Sequence, residues 1–404
     1  MSQQLSSKYL VELAQEFGTP LYIYHAEKIK EQYDKLQSAF IDVNARFFYA
    51  CKALSNINIL KYVESIGASL DCVSIYEVQL GLRAGFTPER ILFTPNCVDF
   101  NEIEEGKNLG VHINIDSISM LEKFGTKYGG SYPICIRFNP HIMGGGNYKI
   151  STGHIDSKFG ISIHQMRHIE RIVKSTNLLV RGIHMHTGSD IKDVSVFLQG
   201  LEIMFDLAKL FPHLEFIDLG SGFKVPYKEG DVQTDIDLLG NKIKEAFKNY
   251  EVENNRKIEV WFEPGKYLVS ECGYFVVKAN VIKQTTATVF VGVNSGFNHL
   301  IRPMFYESYH RIENLSNPNA GERIYTVVGN ICETDTFAWD RQLPEVREGD
   351  FLVFYNAGAY GFEMSSNFNS RLKPAEILIM NGKPHLIRKR DVFEDLLRNQ
   401  VEVL

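Results

Sequence analysis

Between about residue 26 and about residue 267, short β-rich runs alternate with amphipathic helical stretches, and few folds accept that rhythm. The runs that read as strands are Arg46–Cys51, Ser69–Cys72, Ile91–Thr94, His112–Ile115, Ile134–Phe138, Val180–His186, Glu215–Leu219 and Ile258–Phe262. Helical periodicity lies between them, as in Ile57–Ser65, Ile75–Ala84, Met120–Tyr128, His164–Ser175 and Val194–Leu210. Strand and helix in strict alternation predict βαβ units and a parallel sheet, and eight such units match a closed (β/α)8 barrel of about 250 residues. An open doubly wound sheet is the alternative.

After about residue 268 the pattern changes. Tyr274–Gln284, Thr288–Val293, Arg323–Val328, Phe351–Tyr355 and Glu376–Met380 read as strands, and helical periodicity returns only at Val392–Arg398. The expected organisation is a (β/α)8 TIM-type barrel over 26–267 and a β-rich domain over 1–25 and 268–404, with Leu21–Tyr24 adding a strand to the latter. A chain of 404 residues is long enough for two cores.

Composition removes several function classes. The net charge of −6 opposes a general nucleic-acid or anionic-membrane binder, since both require basic surface. No run of about 18 apolar residues spans a bilayer, and the polar stretch Met1–Glu12 lacks the apolar core of a secretory signal. Cys51, Cys72, Cys97, Cys135, Cys272 and Cys332 form no C-x-x-C pair, so no metal centre or disulfide framework is expected and a cytoplasmic setting fits.

In a (β/α)8 barrel the reactive groups sit past the C-terminal ends of the strands. There the sequence places Lys52, Asp71, His184-Met185-His186-Thr187-Gly188-Ser189, Asp218-Leu219-Gly220-Ser221-Gly222 and Glu263-Pro264-Gly265-Lys266. A lysine after the apolar run Phe47–Ala50 can be desolvated into a nucleophilic amine, or it is a surface lysine in a loop. Gly220-Ser221-Gly222 exposes successive backbone N–H groups that can cradle a phosphate, or it is merely a tight turn. Glu263 can pair with a ring nitrogen or with a structural cation. His184 and His186, two apart on a strand, face one side, and either can stack on a flat ring or sit in the core. No carboxylate near them in sequence completes a metal ligand set. Together these groups are what an aldehyde cofactor with a phosphate tail requires. Downstream, Ile331-Cys332-Glu333, Arg302–Tyr306 and Asn356–Gly361 combine a thiol, a carboxylate, a guanidinium and aromatic hydroxyls.

Taken in order, the motifs resemble those of the fold-type III pyridoxal-phosphate decarboxylases, from Pro20-Leu21-Tyr22 to about Leu378. The matching residues are Tyr49–Ala53 around Lys52, Ser151-Thr152-Gly153 with Ser157–Gly160, the His184–Ser189 run, Asp218–Gly222 and Glu263–Lys266. They continue through Leu300–Pro303, Cys332-Glu333, Gly358–Tyr360 and Met364–Arg371. The resemblance implies pyridoxal 5'-phosphate as cofactor, carried on Lys52. It implies His186 on the ring face, Glu263 at the pyridine nitrogen, Ser189, Gly222, Gly265 and Lys266 at the phosphate, and Tyr360 against cofactor or substrate. Arg302, Tyr306 and Glu333 would hold substrate, with Lys266 a further contact, and Cys332 would reprotonate the α-carbon. It also implies a homodimer with shared active sites, the cysteine segment coming from the partner subunit. The pattern is departed from in four places: Ser221 replaces a glycine, Lys266 an arginine, Leu54 an asparagine, and the run Thr334-Asp335-Thr336 a Ser-Gly-Asp run.

The activity so implied is decarboxylation of an amino acid, and the branch most resembled converts meso-2,6-diaminopimelate to L-lysine. Branches acting on lysine, ornithine, arginine or carboxynorspermidine stay open, as does a non-catalytic homologue that binds or regulates.

Overall fold

A computed structural model describes residues 4–142, 144, 153 and 156–404. The chain forms two compact units, one of residues 32–225 and 232–268 and the other of residues 1–31, 226–231 and 269–404.

The first unit is a barrel. Its strands are Ala45–Ala50, Ser69–Cys72, Ile91–Phe93, His112–Ile115, Ile134–Asn139, Val180–Met185, Phe216–Asp218 and Glu259–Phe262. They are called strands one to eight below. Each pairs in parallel with the next, and strand eight pairs with strand one, so the sheet closes. Closure is the expected outcome and rules out the open sheet. The helices Ile57–Ser65, Ile75–Ala84, Phe100–Asn108 and Ile118–Tyr128 each open on a side-chain cap: Asn56, Ser74, Asp99 and Ser117 each accept from a backbone N–H in the first turn. Asp193 and Asp235 do the same for Val194–Ala208 and Ile236–Asn254. Such caps satisfy N–H groups that the helix itself leaves unpaired.

The inside of the barrel is filled rather than hollow. Phe48, Leu92, Cys135 and Phe216 come from the odd strands and Trp261 from strand eight, and all are buried together. Phe216 lies flat on Trp261, centroids 3.5 Å apart and planes 5° apart. Strand six accommodates this with Gly182, where a Cβ would meet the Phe216 ring at 2.0 Å.

The second unit is built on a nine-stranded mixed sheet. Leu21–His25 pairs antiparallel with Gly273–Gln284 and parallel with Ala375–Met380, so the N-terminal run does join this sheet. A helix absent from the sequence expectations, Ser7–Phe17, buries Leu10, Leu13 and Ala14 against Leu21, Ile23, Val276, Val353 and Ile377. Strands Ile312–Asn314, Thr336–Pro344 and Lys383–Arg388 were also not expected. Thr336–Pro344 carries Asp340, Arg341 and Gln342 in its middle, which hides it from a hydrophobic reading.

Candidate active site

The C-terminal ends of the barrel strands carry the reactive side chains. Strand one ends at Ala50 and runs into a single 3-10 turn, Cys51–Ala53, which presents Lys52. Its side chain is 43% exposed and its Nζ lies 3.4 Å from Asp71 Oδ2 at the end of strand two. The expectation that burial strips this amine of water is therefore corrected: the amine is open to solvent, and the influence on it is a buried carboxylate.

That carboxylate belongs to a cluster. Asp71, Asp218 and Glu263 are all buried, at the ends of strands two, seven and eight. His184 on strand six is fully buried, with Nε2 3.4 Å from Glu263 Oε2. Donor atoms of His184, Asp218 and Glu263 all lie within 4.8 Å of one another. The sequence offered no carboxylate beside this histidine; folding brings two, from 34 and 79 residues downstream. Burial raises Asp71 to about 7, helped by the Glu263 charge and opposed by Lys52. Asp218 is pushed well up by burial and then by Glu263. Burial acts on Glu263 in the same sense, but His184 and the Lys52 ammonium outweigh it and hold this carboxyl below the usual range. His184 is lowered by burial, so its ring is neutral at pH 7. The floor thus holds Glu263 ionised beside two carboxyls that burial pushes toward their neutral forms, with the Arg137 guanidinium buried among them.

His186 is the residue that follows strand six. Its Nδ1 accepts from Ser221 N–H at 3.3 Å. Burial, and then the guanidinium of Arg137, lower it to about 3.

Three turns around the rim are tied together. Ile191 N–H donates to the Gly222 carbonyl at 2.9 Å, and Glu263 N–H to the Gly220 carbonyl at 2.8 Å. Lys266 Nζ lies 2.8 Å from Asp190 Oδ1. Ser189, Gly222, Gly265 and Lys266 therefore belong to one connected rim. Gly220 and Gly222 have φ of +63° and +101°. A Cβ would meet His186 Nδ1 at 2.5 Å from the former and the Gly188 carbonyl at 2.2 Å from the latter. Ser221, between them, has no positive φ, so the backbone at this departure does not require glycine.

The other expected residues lie in the second unit. Arg302 is buried at the start of the short helix Arg302–Tyr306. It donates to the Ala359 carbonyl at 3.4 Å and to Ser308 Oγ at 3.3 Å, with its guanidinium 5.2 Å from the Tyr227 ring centre. Tyr360 follows Ala359 at φ 56° and, like Tyr306, is partly buried. Cys332 and Glu333 are exposed on a turn. Asp335 builds that turn, accepting from Phe297 N–H at 2.7 Å and Ile331 N–H at 3.2 Å, while Asn369 Oδ1 accepts from Cys332 N–H at 3.0 Å. The Thr334-Asp335-Thr336 departure thus carries a structural residue. Ser151 and Thr152 fall outside the described residues.

Sequence reasoning gave no role to Asp71, Asn114, Arg137 or Asp218, all buried around the floor. The available signal was the burial of polar residues in apolar strands, as with Asn114 in His112–Ile115 and Arg137 in Ile134–Asn139.

Comparison with known proteins follows the same line. Residues 26–270 match the family described as "Pyridoxal-dependent decarboxylase, pyridoxal binding domain". A diaminopimelate decarboxylase of Methanothermobacter thermautotrophicus is 40% identical over 401 residues, covering 96% of this chain and 93% of that protein. A crystal structure of a diaminopimelate decarboxylase superposes with a TM-score of 0.89 at 33% identity, covering 97% of this chain and 96% of that one. The Helicobacter pylori diaminopimelate decarboxylase solved with L-lysine gives 0.88 at 32%, covering 96% and 98%. Barrel, rim and near-full-length similarity agree, and the chain belongs to the diaminopimelate decarboxylase family of pyridoxal-dependent decarboxylases.

Proposed function

We propose that this chain decarboxylates meso-2,6-diaminopimelate to L-lysine and carbon dioxide, the last step of lysine biosynthesis, with pyridoxal 5'-phosphate as cofactor. The observation that carries the reading is the barrel floor, where Glu263 stays ionised beside two carboxyls that burial pushes toward their neutral forms, below a lysine open to solvent.

The residues fit that cofactor. The Gly220–Gly222 turn leaves its backbone bare because a Cβ at either glycine would collide with neighbouring backbone or with His186. Glu263 is an anion where a pyridinium nitrogen needs one, and His184 Nε2 and Asp218 Oδ2 are buried without hydrogen-bond partners. Lys52 would hold the aldehyde carbon, Glu263 the pyridine nitrogen, His186 the ring face, and Ser189, Gly222, Gly265 and Lys266 the phosphate, with Tyr360 a further contact. When bound, the cofactor supplies an electron sink for the pair left on the α-carbon as carbon dioxide departs. Glu263 keeps a proton on the ring nitrogen. Cys332 delivers a proton to the α-carbon. Arg302, Tyr306 and Glu333, with Lys266, hold and orient the substrate, and a cation suits its second carboxylate.

In this reading the enzyme is a cytoplasmic homodimer, residues 26–267 bind the cofactor, and Cys332 serves the site of a second copy. Exposed Met304, Phe305, Tyr309 and Trp339 support burial against such a copy.

The test supplies pyridoxal phosphate to purified protein and measures carbon dioxide from meso-diaminopimelate beside L-lysine, L-ornithine, L-arginine and carboxynorspermidine. Release from diaminopimelate alone, with lysine as product and only background in Lys52→Ala, is expected. Release from another amine would move the substrate, and normal turnover in Lys52→Ala would remove the carrier.

A further inference from the structure

Glu263 is useful only if it stays ionised and faces one way, and a buried carboxylate does neither unaided. Behind it stand two residues to which the proposed chemistry gives no part. Asn114 on strand four and His184 on strand six are both buried, and Asn114 Nδ2 lies 2.7 Å from His184 Nδ1. The other ring nitrogen, Nε2, lies 3.4 Å from Glu263 Oε2. Thr94 Oγ1 approaches the opposite carboxylate oxygen at 3.5 Å.

The direction of this chain follows from the chemistry of its members. An amide NH2 can only donate, so Nδ1 must accept and carries no proton. The proton of the neutral ring then sits on Nε2, aimed at Glu263. Turning the Asn114 amide over would put its oxygen at Nδ1, move the ring proton there, and point the Nε2 lone pair at a buried carboxylate. That arrangement sets two acceptors against each other without water, so it is disfavoured. At 3.4 Å the pair is a close polar contact rather than a hydrogen bond of good geometry.

We infer that Asn114 and His184 are positioning residues for Glu263: Asn114 locks His184 in its Nε2–H tautomer, and that N–H holds the Glu263 carboxylate ionised and aimed at the cofactor ring nitrogen. The relay runs across strands four, six and eight, so the barrel itself fixes its spacing. A protonated Nε2 has no lone pair to give a metal ion, so in this tautomer His184 cannot act as a ligand through that nitrogen. The inference rests on the proposed function for what Glu263 receives, whereas the tautomer does not depend on it.

The first experiment uses cofactor-free protein labelled with 15N at histidine, with His184 assigned by its loss in His184→Gln. Long-range proton–nitrogen correlations are expected to show the Nε2–H tautomer at neutral pH. An Nδ1–H ring or a doubly protonated ring would overturn the relay. The second experiment removes the amide in Asn114→Leu, which leaves Nδ1 without the donor that fixes the tautomer. Pyridoxal phosphate affinity, read by equilibrium dialysis, should fall roughly tenfold or more, the size of a lost buried hydrogen bond to a charged group. The absorbance of the bound cofactor should shift, and kcat should fall with little change in KM. His184→Gln, whose amide can still accept from Asn114 and donate to Glu263, should retain more affinity than His184→Leu. Wild-type affinity and spectrum in folded Asn114→Leu would remove the positioning role. Should the wild-type protein fail to bind pyridoxal phosphate at all, the proposed function would fall while the tautomer measurement would stand.

Discussion

His186 shows how strongly one position can couple the site to pH. Its folded value of about 3 lies below the ordinary 6.5 of an unfolded chain. Between those values the unfolded protein binds a proton that the folded ring refuses, so this contribution to stability is lost as acid is added. His299, at about 4, and His310, at about 3, act in the same direction. Asp71 acts in the opposite one, since its raised value of about 7 favours the folded state at low pH and loses that effect as pH rises through 7. The contribution of His186 is therefore isolated by comparison. Denaturant unfolding of cofactor-free His186→Phe should weaken less than wild type between about pH 6.5 and about pH 4. Equal slopes would mean that the ring is protonated in the folded state. Lys52, His186, Gly222 and Glu263 were all legible as candidates because each ends a strand in a marked local pattern. Asn114 was not, because the partners that give it meaning lie on other strands, and for the same reason Asp71 was located at a strand end but given no role.

Among the elements, strand six is the most constrained. Gly182 faces Phe216, and the Phe216 ring cannot retreat because it is stacked on Trp261 at 3.5 Å. Gly182→Val should therefore destabilise the barrel by about 1–3 kcal/mol, the usual cost of overpacking a filled core. Equilibrium denaturation monitored by tryptophan fluorescence measures it, and an unchanged midpoint would show that the stack can slide. Elements with a strong period were readable in advance, as with Val194–Ala208 and Ile75–Ala84. The helix Phe100–Asn108 was not, since it buries only Ile103 and Gly106 and is otherwise polar. Its existence depends on the Asp99 cap and on a neighbouring sheet to lie against.

For the molecule as an assembly, the proposal of a shared site has a direct consequence. Lys52→Ala and Cys332→Ala should each be inactive or nearly so as pure proteins, with Cys332→Ala falling by about 10²–10⁴ in kcat, the usual worth of a positioned acid. Mixed under conditions that exchange subunits, the two should regain turnover, because one composite site then holds both groups. Absence of recovery, with sedimentation showing a mixed dimer, would place both groups in the same copy.

The strand–helix alternation, the capping residues and the glycine turns are written locally, within a few residues of where they act, so the barrel and the candidate residues at its strand ends could be read directly from the chain. The electrostatics of the floor could not. Whether Lys52 is open or buried, which carboxylate stays ionised, and which nitrogen of His184 bears the proton depend on distances of a few ångströms between residues as far apart as Asn114, His184 and Glu263. Those distances exist only once the sheet has closed, because charge and desolvation act through space and are summed over every strand that faces the same point.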